Sequence, residues 1–236
     1  MSKIVVAFDL YGTLLSTGSI AKELASHFGQ EEAESIATVW RRYQLEYTWR
    51  LVCMKQYEDF SEVTRKSLHH ALGEHGLSLN ETDTKNLMKS YDSLSTFPDV
   101  NPALERLKDN SNIECVVFSN GTSEMVSSSV NGSEELSSSV FKDIITVDDV
   151  RTFKPAPEVY KHLAEKVGKT GQMSAMWLVS GNPFDVVGAR AMGMQAAWVD
   201  RAGSGWQDQL GLEPTVVVKS LEEVADAVEK HARNSK

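Results

Sequence analysis

The feature that most constrains this chain is a short apolar run that breaks off into small polar and charged residues, repeated at distant points of the sequence. Ile4-Val5-Val6-Ala7-Phe8 runs into Asp9, Cys115-Val116-Val117-Phe118 into Ser119-Asn120, and Met176-Trp177-Leu178-Val179 into Ser180-Gly181-Asn182. Runs this short, closed by turn chemistry, read as buried strands of a parallel sheet. Ligands of an open α/β sheet bind outside the carboxyl ends of its strands. Three segments far apart in sequence are therefore expected to deliver an Asp, a Ser-Asn pair and a Ser-x-Asn group to one crevice.

The remaining segments supply the connections. Beyond residue 98, helices expected at 102–109, 121–130, 157–167, 184–192 and 220–231 alternate with strands at 113–119, 143–147, 176–180, 195–200 and 215–218. Such alternation implies a doubly wound parallel sheet. The first strand, 4–9, stands apart from the others, because 17–97 carries helical patterns and no clear strand. Trp40, Tyr43, Tyr47, Leu51 and Met54 fall on one helical face, further helices are expected at 57–74 and 82–95, and Pro98 closes the block. The expected organisation is α/β: a core from 1–16 and 98–236, with 17–97 inserted as a helical cap above the strand ends.

Charge and composition narrow the partners. With 24 Lys and Arg against 33 Asp and Glu, the formal net charge of −9 argues against nucleic acid or an anionic membrane as the main partner. It leaves room for a small anion, which one or two local cations can hold. No run reaches the ~18 apolar residues of a membrane span. The first residues enter a strand with no signal-peptide pattern. Cys53 and Cys115 form no disulfide framework. A cytoplasmic protein with reduced thiols is expected.

At the strand ends, residue types begin to specify chemistry. Asp9 precedes a Gly-containing turn, and the Thr13 hydroxyl can hydrogen-bond and aim its carboxylate; in isolation, Asp9 serves equally well as a helix cap. Ser119-Asn120-Gly121 ends a strand and opens a helix, where Ser119 and backbone N–H groups can hold a carboxylate or simply cap. His69, His70 and His75 cluster without metal-ligand spacing and read as a solvated helix.

Asp9-Leu10-Tyr11-Gly12-Thr13 resembles motif I of the haloacid dehalogenase superfamily, in the Asp-x-Tyr-Gly-Thr form of its L-2-haloacid dehalogenases. The superfamily's phosphatases carry Asp-x-Asp-x-Thr there. Ser180, Asn182 and Asp185 are similar to the dehalogenase pattern Ser-x-Asn-x-x-Asp, with Gly181 standing where phosphatases place a magnesium-binding Asp. Trp40-Arg41-Arg42-Tyr43-Gln44-Leu45-Glu46-Tyr47-Thr48-Trp49 resembles the Arg-bearing cap helix of the dehalogenases, and Lys154-Pro155-x-Pro157-x-x-Tyr160 the lysine motif. The resemblance spans nearly the whole chain.

It implies a Rossmann-like core with a helical cap. The implied reaction is metal- and cofactor-independent hydrolysis of a short (S)-2-haloalkanoic acid to an (R)-2-hydroxy acid, releasing halide, in a homodimer. Asp9 would attack C2 to give an ester, with Thr13 and Ser180 orienting it. Arg41 and Asn120 would receive the halide, Ser119 the substrate carboxylate, and Lys154 would offset the repulsion between two carboxylates. Asp185, with Asn182 and Lys154, would position or deprotonate the water. Tyr11, Leu45, Phe60 and Phe184 would supply apolar walls, with Leu10 also grouped among the substrate-binding residues. Tyr160, grouped with the substrate-binding residues, would hydrogen-bond nearby or pack. Two departures from the family pattern are expected to change substrate size or charge preference: Phe184 in place of Trp, and Arg42 in place of Gln. The alternatives are a Mg²⁺-dependent phosphatase, against which Tyr11 and Gly181 speak, and a non-catalytic relative that binds a small anion or a protein.

Overall fold

The computed structural model describes residues 3–133, 136 and 138–234. Strands β1 (Ile4–Phe8), β2 (Ile113–Ser119), β3 (Phe141–Thr146), β4 (Met176–Ser180), β5 (Gln195–Val199) and β6 (Val216–Val218) form one sheet of order β3-β2-β1-β4-β5-β6. Every pairing is parallel. The order reverses at β1, between β2 and β4, and this switch point is where an open sheet opens a crevice. Val5, Val6, Ala7, Phe8, Val117, Leu178 and Val179 are all buried, which is why these strands read as unbroken apolar runs. The expected α/β doubly wound fold is the fold observed.

Four helices form the insertion that follows β1: α1 (Ala21–Phe28), α2 (Gln30–Met54), α3 (Phe60–Glu74) and α4 (Glu81–Tyr91). Gly29, at φ +82°, breaks α1 from α2, a conformation that costs an L residue with a Cβ. Asp59 and Asn80 cap α3 and α4 by accepting the N–H of Glu62 and Asp83. Trp40, Tyr43 and Leu51 are buried along α2 as the periodicity implies. Met54 is 56% exposed, because α2 ends there and Lys55 turns left-handed. His70 is no solvated residue: it stacks on Tyr43 at 3.6 Å between ring centres and meets the Tyr47 hydroxyl at 2.8 Å.

The chain leaves and re-enters the sheet side by side. Ser16 N–H donates to Ser95 O (2.8 Å) and Phe97 N–H to Leu14 O (3.2 Å). Arg201 clamps both passages, donating to Thr13 O at 2.8 Å, pairing with Asp99 at 2.9 Å and lying 3.9 Å over the Phe97 ring.

The remaining helices are α5 (Val100–Lys108), α6 (Ser123–Gly132), α7 (Pro157–Lys166), α8 (Pro183–Ala191) and α9 (Val224–Asn234). The helix expected at 220–231 begins as a 3₁₀ turn, Leu221–Glu223, before α9. Proline opens α7 and α8, where its missing N–H has no partner to lose. Helices α7 and α8 meet closely at Gly188, where an added Cβ would lie 2.2 Å from Tyr160 Oη and 2.6 Å from Pro155 Cβ. Gly188→Ala is therefore expected to cost about 1–3 kcal/mol by overpacking. Urea unfolding should show a lower midpoint at an unchanged slope.

Candidate active site

Register places the first carboxylate. Phe8 pairs with Val179 on one side and Val117 on the other, and Asp9 N–H extends the ladder to Val179 O at 3.0 Å. The Asp9 side chain therefore emerges beside Ser180, at the carboxyl ends of the central strands. Asp9 Oδ2 accepts from Thr13 Oγ1 (2.7 Å), Ser180 Oγ (3.1 Å) and Asn182 Nδ2 (2.7 Å), while Oδ1 receives Lys154 Nζ at 3.1 Å. Thr13 is itself fixed by Gly181 N–H (2.9 Å), and Ser180 by Asn182 N–H (3.0 Å).

Lys154 is 1% exposed and serves two acids. Its Nζ also donates to Asp185 Oδ2 (2.7 Å) and Phe118 O (2.7 Å). Its backbone N–H is held by Asn120 Oδ1 at 3.0 Å, which fixes that amide with Nδ2 as its remaining donor group. Asp185 Oδ1 accepts from Tyr160 Oη at 2.7 Å. Tyr160 is fully buried and turned to Asp185, so it positions the acid and lines no wall.

One cation between two buried carboxylates cannot satisfy both equally. Burial pushes Asp185 up, Lys154 pulls it back and the charge of Asp9 raises it again, leaving it at about 6. Burial pushes Asp9 up too, but Lys154 and the hydrogen bonds from Thr13 and Asn182 outweigh it and hold this carboxyl below its ordinary value. Near neutral pH, Asp9 is the ionised member of the pair and Asp185 the titratable one.

The helical insertion contributes Arg41. Its Nη2 donates to Tyr11 O (3.2 Å) and Asn182 Oδ1 (3.4 Å), and its Nη1 to Gln44 Oε1 (2.7 Å). Asn182 is the residue before α8, yet its side chain caps nothing; it joins Arg41 to Asp9. Tyr11 stacks on Phe60 (5.7 Å) and leans on Tyr91 (5.8 Å). Phe184 meets Trp49 edge-on at 5.5 Å, so its wall is completed by α2. Leu45 is half-buried one turn beyond Arg41, whereas Leu10 is fully buried in the core. Ser119 is also buried, and its Oγ accepts Gly121 N–H at 3.1 Å, so that N–H is not free for a ligand. Arg42 points to solvent, pairing with Glu74 at 3.2 Å and stacking on Tyr43; it adds no charge to the crevice.

Sequence reasoning missed Gln44, Tyr91 and Trp49. Gln44 carried a signal, being a polar residue within the otherwise apolar stripe of α2. Tyr91 and Trp49 carried none, since an aromatic at helical spacing reads as packing.

At Gly181, an added Cβ would lie 2.6 Å from Gly12 O, a backbone atom. No side chain, carboxylate or otherwise, fits there unless one of the two loops moves.

Comparison with known proteins gives the family. The family model for haloacid dehalogenase-like hydrolases matches residues 5–193. The (S)-2-haloacid dehalogenase H-109 of Pseudomonas putida is 36% identical over 94% of this chain and 96% of its own length. The haloacetate dehalogenase H-2 of Moraxella sp. (strain B) is 32% identical over 97% of this chain and 99% of its own. The structure of the L-2-haloacid dehalogenase from Xanthobacter autotrophicus, with chloropropionic acid covalently bound, superposes with a TM-score of 0.86 at 30% identity, covering 96% of this chain and 98% of that one. With sequence and fold in accord over nearly its full length, the chain belongs to the haloacid dehalogenase-like hydrolases.

Proposed function

We propose that this chain hydrolyses short (S)-2-haloalkanoic acids to (R)-2-hydroxy acids through an ester on Asp9. The observation that carries this reading is the division of labour around the two oxygens of Asp9. Oδ1 meets only Lys154 and keeps lone-pair density for attack. Oδ2 is held by Thr13, Ser180 and Asn182.

In the first step, Oδ1 forms a bond to C2 from the side opposite the halogen. The carbon–halogen bond breaks, and the halide leaves with its electron pair. Arg41 and Asn120 Nδ2 stabilise the charge that develops there. Ser119 holds the substrate carboxylate, and Tyr11, Leu45, Phe60 and Phe184 exclude water. In the second step, water attacks Cγ of the ester and gives a proton to Asp185. Oδ2 becomes the oxyanion, already facing its three donors. Collapse breaks the Cγ–Oδ1 bond; the departing alkoxide keeps Oδ1 on C2 and takes the proton from Asp185, and the second proton of the water passes to solvent. Asp9 is regenerated with one oxygen from water. Inversion occurs once, in the first step.

Esterification also prepares the base. It removes the negative charge that raises Asp185 and leaves Lys154 to that residue alone. The acid titrating at about 6 in the free protein is therefore lower in the ester, and it is ionised when water must be deprotonated.

The phosphatase alternative needs a carboxylate at 181, where the backbone of Gly12 blocks a side chain, and an acid at 11, where a stacked tyrosine stands. The chain is further proposed to act as a cytoplasmic homodimer. Trp49 and Met54, both exposed on α2, support a subunit contact, and no helix among the described residues is long and apolar enough to cross a membrane.

Halide release from (S)-2-chloropropionate with excess EDTA tests the reading, and Asp9→Asn should abolish it. The (R) enantiomer should release none. Release only from a phosphomonoester, with Mg²⁺, would overturn it. The two steps should also separate with pH. Single-turnover halide release uses ionised Asp9 and should be flat between about pH 5 and pH 7. Ester hydrolysis needs ionised Asp185 and should rise with pH along a limb at or below about 6, then level off. A limb on both steps would reassign the base.

A further inference from the structure

Gln44 lies three residues after Arg41 on α2, so both side chains share one helical face. It is fully buried, an environment in which an amide needs every hydrogen bond it can make. Its Nε2 donates to Thr64 Oγ1 at 2.7 Å. The Thr64 hydroxyl spends its single proton on Phe60 O at 2.6 Å, so towards Gln44 it can only accept. That fixes the amide. Oε1 must face the other way, where it accepts from Arg41 Nη1 (2.7 Å) and Tyr91 Oη (3.1 Å). Thr64 is held in turn, its carbonyl accepting Trp40 Nε1 at 2.8 Å.

We infer that Gln44 is the positioning residue that aims the Arg41 guanidinium at the departing halide. The inference rests on the dehalogenase reading above. Gln44 occupies one Nη1 hydrogen, while Tyr11 O and Asn182 Oδ1 occupy Nη2. The guanidinium plane is thus held from both of its terminal nitrogens, and the orientation of this rigid fork is set before a ligand arrives. Because Gln44 is neutral, it fixes this direction without cancelling the positive charge that the leaving group meets. A glutamate of the same shape would cancel much of it, and would also turn an acceptor towards the Thr64 oxygen. Gln44 is fully buried, so it acts through the groups it holds; of these, Arg41 carries the charge that meets the leaving group.

An aimed cation matters most where the leaving group is poor. Chloride departs less readily than iodide and depends more on stabilisation of its developing charge. Both halides leave the same ester on Asp9, so ester hydrolysis is an internal control. The experiment compares single-turnover halide release from (S)-2-chloropropionate and (S)-2-iodopropionate in the wild type and in Gln44→Met. The iodo-to-chloro rate ratio should rise about tenfold or more, with chloride release falling about 10- to 100-fold and ester hydrolysis unchanged. An equal loss from both substrates, or an unchanged ratio, would overturn the inference and leave Gln44 a packing residue. If Gln44→Met does not fold, Thr64→Val decides: it frees the amide to turn, and should raise the ratio in the same direction. If Thr64→Val leaves the ratio at the wild-type value, the inference fails. Failure of the dehalogenase reading looks different, since the wild type would then release neither halide.

Discussion

The site depends on one buried ammonium set between two buried carboxylates. Removing Lys154, Asp9 and Asp185 from water is costly for each, and a single positive charge cannot offset two negative ones. The surroundings resolve the contest by hydrogen bonding. Thr13, Ser180 and Asn182 all donate to Asp9, whereas Asp185 receives only the Tyr160 hydroxyl besides Lys154. The donors thus decide which acid is the permanent anion and which one titrates. Two chemically identical side chains acquire different protonation behaviour from their neighbours alone.

The sheet makes this possible because its register is specific. A slip of one residue in β1 would turn Asp9 to the other face and bring Phe8 to the crevice. Parallel pairing on both sides of β1, with every interior residue buried, prevents that slip. The apolar runs that signal the strands are therefore also what aims the reactive groups. Arg201, by holding Thr13 O and Asp99 together, keeps the connection to the helical insertion anchored to the same frame.

Much of this was legible in the sequence. Strands 113–119 and 176–180 coincide with β2 and β4, because buried parallel strands have sharp apolar boundaries. Asp9, Ser180 and Asn182 converge as their positions at strand ends imply. Thr13 joins them from the turn after Asp9, and so do Lys154 and Asp185, singled out through the family resemblance. Less legible was the use to which single polar atoms are put. Asn182 stands where a helix cap belongs and forgoes capping to serve Asp9. Tyr160, expected to hydrogen-bond nearby or to pack, holds Asp185, and Arg42 turns to solvent although it adjoins Arg41. The split between two acids arises from burial and from contacts across the sheet, neither of which is a property of any one segment. Gln44 is intelligible only once Thr64, forty-four's partner on the neighbouring helix, fixes which end of the amide faces Arg41.

The Asn182 amide has an implication for how the molecule works as a unit. One end accepts from Arg41 on the insertion, and the other donates to Asp9 on the sheet. An amide has a fixed polarity, so these two contacts cannot be exchanged by a flip. Asp9 and Arg41 thus share a single go-between. A displacement of α2 is felt at Asp9 as the loosening of one of its donors. Readiness to react is in this sense a property of the assembled pair, insertion and sheet together, and an unengaged insertion leaves Asp9 a less organised carboxylate.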